Sequence, residues 1–375
     1  MPTLFNAKKV AFLSFYFVIF MTIIFLLSHQ LSGHNYPSDT IAHLGFSKQF
    51  FDGTRVIAHP LWHICVHYMT YITLDEKFSA AMVTAIFVTM WIYIVQALYL
   101  FFMDKTRHWL FTYVFLLIIF LIGPAYIKSF TKHIYLGTGS PNVWHNVTLL
   151  TVKPFALLAV FFTIRGLEKK HILYYVIGAM SLVFSIFAKP SFVMAFLPAI
   201  VILFILRKYY SKENIIYMLL LITISAGLSG WQFLHVFGED KTKIVIDFLG
   251  VWSHYTPNVF VSILLALCFP LMYLVFNFKL ILNNDYLIVS WIMILFSILY
   301  AAFLAEKGPR FYHFNFSWSY MISLSLLYVF TFVDYLKNIV QIKTRIKFLL
   351  NIIVVWQLIV GTYYFYTILL GKTYV

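Results

Sequence analysis

Charge is scarce in this chain: Asp, Glu, Lys and Arg make up 11% of its 375 residues, against 62% hydrophobic and 20% aromatic ones. Soluble domains carry about a quarter charged and about half apolar residues, so a mean hydropathy of +0.88 excludes that class and indicates an integral membrane protein. Acid is scarcer still, with 13 Asp and Glu against 27 Lys and Arg. The formal charge of +14 does not point to nucleic acid, because the cations stand in ones and twos at the ends of apolar runs and form no basic stripe. Cysteine is almost missing: Cys65 and Cys268 lie far apart, show no metal or redox spacing, and read as apolar fillers. No Walker loop, GxGxxG or GxSxG elbow occurs in a suitable context, which disfavours ATP, dinucleotide and serine-hydrolase chemistry. No repeat, low-complexity tract or Pro/Gly-rich linker divides the chain, so residues 1–375 read as a single membrane domain.

What is abundant is apolar sequence in runs that match a bilayer core of about 30 Å, or roughly 20 residues of helix. Such runs fall near 10–31, 78–103, 109–127, 149–166, 172–188, 191–206, 215–236, 258–278, 286–304, 318–336 and 348–370. No period-two alternation is present, so the expected fold is all-α: a polytopic transmembrane bundle of about 11 helices. An odd count argues mildly against a two-fold inverted-repeat transporter. No small-residue cleavage site follows the first run, which reads as a retained helix.

Lys8 and Lys9 precede the first run, and Lys105, Arg107, Arg165, Lys169, Lys170, Arg207, Lys208, Lys212, Lys279, Lys337, Lys343, Arg345 and Lys347 fall in alternate short loops. By the positive-inside rule these loops and the N-terminus are cytoplasmic and the C-terminus, Lys372 to Val375, is external. The outer loops are then about 32–77, 126–148, 237–257 and 305–317. Of 13 histidines only His108 and His171 fall on the inner side. Histidines gathered on one face mark it as the place of binding or chemistry.

The first outer loop holds the densest ionisable set, including Asp39, His43, Lys48, Asp52, Arg55, His59, His63 and His67. Thr40 to Phe51 reads as a short amphipathic helix with Ile41, Leu44 and Phe51 toward the membrane, and Asp39 at its start can serve as cap or as general base. His59, His63 and His67 recur every four residues, which places them along one helical face turned to water or phosphate. That spacing permits a divalent metal, but no carboxylate joins them and HExxH is absent, so no cofactor is expected and a metal is not favoured. In the second loop, Trp144 offers an apolar face for a sugar, and Asn142, His145 and Asn146 offer hydrogen bonds; a turn with an interfacial Trp anchor explains the same residues. Lys153 is expected to face the bundle interior, since an ammonium exposed to lipid is costly. Lys128, Lys132, Lys153, Lys189 and Arg310 make a collecting surface for an anionic head group, with Arg310 able to grip phosphate by two hydrogen bonds. Asn146-Val-Thr148 and Asn315-Phe-Ser317 match the glycosylation pattern, from which nothing is read.

The segment SDTIAHLGFSKQFFDG after a first helix, with GTGSPNVWHNVTLLTVKPFALL and the later AKPSF, resembles the membrane glycosyltransferases of the C-type fold, in particular bacterial members found with surface-polysaccharide genes. The resemblance implies a polyprenyl-phosphate-linked or diphosphate-linked sugar donor and an acceptor hydroxyl on a glycan, lipid or protein. It further implies action on the outer face of a bacterial inner membrane, among membrane lipids, with Asp39 as the base. Ser38-Asp39 stands where such enzymes more often have two neighbouring acids, so a metal-free mechanism is expected. His43, His59, His63, Asn142, Trp144, His145, Asn146, Lys153, Lys189 and Arg310 are the expected substrate contacts. A polysaccharide repeat-unit polymerase and a transporter or flippase of lipid-linked saccharides are the alternatives; the near absence of charge at helix centres favours an enzyme over the transporter.

Overall fold

The computed structural model describes residues 2–32, 38–103, 109–131, 133–237, 243–308 and 310–371, with side chains from Val10 onward in the first helix. The fold is 79% helical. Its helices are α1 (Pro2–Ser32), α2 (Asp39–Phe51), α3 (Leu61–Thr73), α4 (Glu76–Phe102), α5 (Trp109–Leu121), α6 (Val147–Lys169), α7 (Ile172–Ala188), α8 (Ser191–Leu206) and α9 (Lys212–Phe237). After strand β1 (Lys243–Ile246) come α10 (Gly250–Tyr255), α11 (Val259–Ala266), α12 (Cys268–Leu282) and α13 (Asp285–Phe303), then strand β2 (Leu304–Lys307), α14 (Ser317–Lys337) and α15 (Thr344–Leu369). Seven of the described helices are long and apolar enough to cross a membrane, or eight if α11 and α12 form one broken span; α5, α7 and α8 are shorter apolar helices. Lys105, Arg107, His108, Lys132, Glu239, Asp240, Lys241 and the segment 372–375 lie outside the described residues.

Each expected run coincides with helix, and proline explains where runs break. Pro270 would clash with the carbonyl four residues back, and α11 ends at that residue, Ala266, before α12 departs at 71°. Lys189 takes the extended conformation required before Pro190, which separates α7 from α8. The third run is helical only to Leu121. Beyond it the irregular chain at Gly123 and Ala125 donates to the carbonyls of Gln357 (3.2 Å) and Leu265 (3.1 Å), as backbone enclosed by protein in a membrane must. A Cβ on Gly361 would meet the Leu121 carbonyl at 1.9 Å, so glycine is what lets α15 pass there.

The most enclosed helix is α14, whose residues Ser317–Tyr335 are all buried. Around it pack α13, α8, α6, α12 and α4. One feature departs from the expected all-α fold: β1 and β2 pair antiparallel, Lys243 opposite Lys307, tying the third outer loop to the fourth. At the opposite end, residues of the expected cytoplasmic loops cluster. There Asp285 accepts from Arg207 (2.7 Å) and Tyr209 (2.8 Å), and Asp334 accepts from Tyr273 (2.6 Å) and Asn284 (2.9 Å).

Candidate functional site

The site is built where α2 meets the loop before α6. Ser38, not Asp39, is the cap of α2: its hydroxyl accepts from the Thr40 amide and donates to Gln30 Oε1 at the end of α1 (2.8 Å). Gln30 in turn donates to the Trp144 carbonyl (3.2 Å), so the first two outer loops are fastened to each other. Asp39 is thereby released from capping and occupies the first helical position, where its carboxylate accepts a 2.7 Å hydrogen bond from Asn146 Nδ2. Asn146 is also the cap of α6, its Oδ1 accepting from the Leu149 amide (2.9 Å). A helix cap cannot rotate freely, so the amide that holds Asp39 is itself held.

Lys189, at the α7–α8 break, points its ammonium into the same corner. It donates to Thr148 Oγ1 (2.9 Å) and Asn146 Oδ1 (3.4 Å) and lies 4.7 Å from the centre of the Trp318 ring. Burial pulls its pKa down to about 8, with nearby Asp39 opposing the shift. A cavity of about 880 Å³ opens over this corner. Its described lining contains one carboxylate, Asp39, and three cations, Arg55, Lys189 and Arg310, together with His43, His59, His63 and Asn146. Phe46, Gln49, Thr54, Tyr135, His235, Tyr255, Tyr312, His313, Asn315 and Trp318 complete its polar and aromatic wall.

Three imidazoles pack on the α2 side, with ring centres 5.2 Å (His43 to His63), 6.4 Å (His43 to His59) and 6.3 Å (His59 to His63) apart. His43 Nδ1 and His63 Nε2 share a hydrogen bond at 3.1 Å. Desolvation first, then neighbouring charges that include Lys189 or Arg55, hold His43 and His59 well below the ordinary imidazole range and His63 at about 4. Near neutral pH these rings are uncharged, so they offer hydrogen bonds and not counter-charge. Among the described residues no group of three His, Cys, Asp or Glu has the geometry to hold a metal ion.

The histidine stripe is therefore not where its spacing places it. Pro60 caps α3, which starts at Leu61, so His59 stands outside the helix. His63 is fully buried against His43, and His67 turns elsewhere, its ring stacked at 3.5 Å on Phe51. Of the α2 residues expected to face the membrane, Ile41 and Phe51 are exposed on the protein surface, whereas Leu44 is buried inside the protein.

Seven expected contacts, namely Asp39, His43, His59, His63, Asn146, Lys189 and Arg310, come together on the cavity wall. Four do not. Trp144 is wholly buried between Phe120 (4.7 Å) and Phe365 (5.2 Å) and presents no face to a sugar. Asn142 donates to the carbonyls of Ile119, Phe120 and Ile122 at 2.9–3.0 Å, satisfying the end of α5. Lys153 does face the interior, but it donates to Pro141 (2.9 Å) and Asn142 (2.6 Å) and lies over Trp91 (4.1 Å), so it locks the loop and collects no head group. His145 sits one layer behind the wall, its Nδ1 within 3.2 Å of the Tyr364 hydroxyl and its ring edge-on to cavity-lining Tyr135 at 4.5 Å; burial lowers it to about 4. Lys128 is exposed away from the cavity. Sequence reasoning passed over Arg55, Gln49 and Trp318. Arg55 had a signal, its place in the most ionisable loop; Trp318 had none, being one more aromatic at the start of an apolar run.

No profile of a known protein family matches this chain, and no curated protein matches it. Fold and site together define its class: a helical integral membrane protein with several apolar spanning helices and a polar, net-cationic cavity among its interhelical loops.

Proposed function

We propose that this protein is a membrane glycosyltransferase of the C-type kind, moving a sugar from a polyprenyl-phosphate-linked or diphosphate-linked donor to an acceptor hydroxyl on the outer face of a bacterial inner membrane. The observation that carries the reading is Asp39: a carboxylate oriented by Asn146 at 2.7 Å on the wall of a cavity that also contains Lys189 and Arg310. In the proposed step Asp39 takes the proton of the acceptor hydroxyl as its oxygen bonds the anomeric carbon. The bond from that carbon to the phosphate oxygen breaks, and the departing phosphate keeps the electron pair. Negative charge grows on the phosphate, and cations fixed beforehand stabilise it best. The neutral histidines supply hydrogen bonds to hydroxyls without competing for the phosphate.

Transfer is tested with the purified protein in lipid, a polyprenyl-phosphate-linked sugar and a panel of saccharide acceptors, following new glycosidic bonds by mass spectrometry. A carrier needs no base and forms no bond, so transport of the lipid-linked saccharide between leaflets without any glycosidic product would overturn the proposal. The sidedness belongs to the same proposal: eleven crossings, N-terminus cytoplasmic, outer loops holding the cavity. Alkaline phosphatase fused after Val375 is expected to be active and a cytoplasm-only reporter silent; the reverse result would move the cavity to the cytoplasmic face and sink the outer-face reading.

A further inference from the structure

The cavity wall contributed by α2 is a single helical stripe. Asp39, Ala42, His43, Phe46 and Gln49 all line the cavity, at the three- and four-residue spacings that fall on one side of a helix. Arg55 lines it just beyond the end of α2, its guanidinium lying 3.9 Å from the centre of the Phe46 ring and 3.4 Å from Gln49 Oε1. Gln49 follows Asp39 by ten residues, so at a rise of about 1.5 Å per residue the stripe runs roughly 15 Å from the carboxylate to the guanidinium end. Along it stand an amide, an aromatic ring and an imidazole, groups that hydrogen-bond hydroxyls and cover apolar sugar faces.

Charge decides what the far end takes. The described lining has an excess of two positive charges, and the described ion pairs are Lys48–Glu76, Arg165–Glu168 and Arg207–Asp285, so no carboxylate of the described chain pairs with Arg55 or Lys189. The donor's phosphate or diphosphate brings one or two negative charges to the corner where Lys189 and Asp39 stand. Arg55 lies at the other end of the α2 stripe, its guanidinium over Phe46 and open to the cavity.

Resting on the proposed transfer function, we infer that the α2 stripe is the acceptor track and that the acceptor is an anionic saccharide, its hydroxyl end at Asp39 and a carboxylate or phosphate group held by Arg55. Such a guanidinium grips either oxyanion through two parallel hydrogen bonds. Arg55 is on this account a specificity residue that selects charged over neutral acceptors.

The test is equilibrium dialysis of the full chain in lipid nanodiscs against three probes of equal length: tetragalacturonate, singly phosphorylated maltotetraose and neutral maltotetraose. At least one acidic probe is expected to bind roughly tenfold or more tightly than the neutral one, the scale of a charge-assisted hydrogen bond. Which acidic probe wins separates carboxylate from phosphate. Arg55→Gln should erase the preference and Arg55→Lys retain part of it, both remaining monodisperse because Arg55 is exposed. Equal binding of all three probes, or a preference that survives Arg55→Gln, overturns the inference. Binding is read without turnover, so the two readings fail separately. Arg55-dependent acid binding with no glycosidic bond formed would sink the transferase and keep the track, and transfer without that preference would do the reverse.

Discussion

Asp39→Asn is expected to give a protein that inserts, folds and binds donor but transfers sugar roughly 10²–10⁴-fold more slowly, the usual contribution of a positioned general base. The structure makes this substitution unusually clean. The cap of α2 is Ser38, so changing Asp39 leaves the helix start untouched. The amide oxygen of an introduced asparagine can still accept the Asn146 hydrogen bond that Asp39 Oδ2 accepts at 2.7 Å, so the side chain's place is kept and only its basicity is lost. The measurement is single-turnover transfer in lipid beside a thermal melt. Near-normal turnover in the asparagine variant would remove Asp39 as base, and a lowered melting temperature would return the residue to a structural role.

Lys189→Met is expected to lower donor use, read as kcat/KM, roughly tenfold to a hundredfold, the worth of one hydrogen bond to a charged group. Methionine fills the space of the lysine stem among Trp318, Thr148 and Asn146, so packing in the corner is preserved while the ammonium is deleted. Arg310→Ala should act on the same parameter, with Arg310→Lys restoring only part because it lacks the two-pronged donor. Lys189 also predicts a pH dependence. Burial brings its pKa down to about 8, so the ammonium is fully present below that pH and is lost as pH rises through it. The log of kcat/KM should therefore bend downward near pH 8, and in Lys189→Arg the bend should move beyond the alkaline range, since a guanidinium does not deprotonate there. An alkaline limb unmoved in the arginine variant would show that another group sets it. His43, His59 and His63, held well below the ordinary imidazole range by desolvation, should add no limb near neutrality.

How far residues can be read in advance is clearest from pairs that look alike in sequence. Lys153 and Lys189 are both lone cations beside proline in apolar surroundings, and both were expected to collect phosphate. Only Lys189 reaches the cavity, because the α7–α8 break swings it there, whereas Lys153 is spent on the loop carbonyl of Pro141 and on Asn142. For Trp144 and Trp318 the local reading favours the wrong one. The first is walled in by Phe120 and Phe365 and the second lines the cavity. Helical spacing misplaced His59 because Pro60, as the cap of α3, leaves it one residue outside the helix on which the four-residue period depends.

What the sequence by itself determined is the membrane class, the approximate place of the apolar helices and the loops that hold the ionisable groups. Each of these is a sum of local transfer free energies and backbone constraints over some twenty residues. Tertiary structure alone decided which of those groups share one wall. Asp39 and Asn146 meet across 107 residues of chain, and β1 joins β2 across most of two helical runs. Such meetings follow from how α2 packs on α3 and α4 while α6 and α8 pack on α14, and no local pattern of hydrophobicity or spacing encodes that packing.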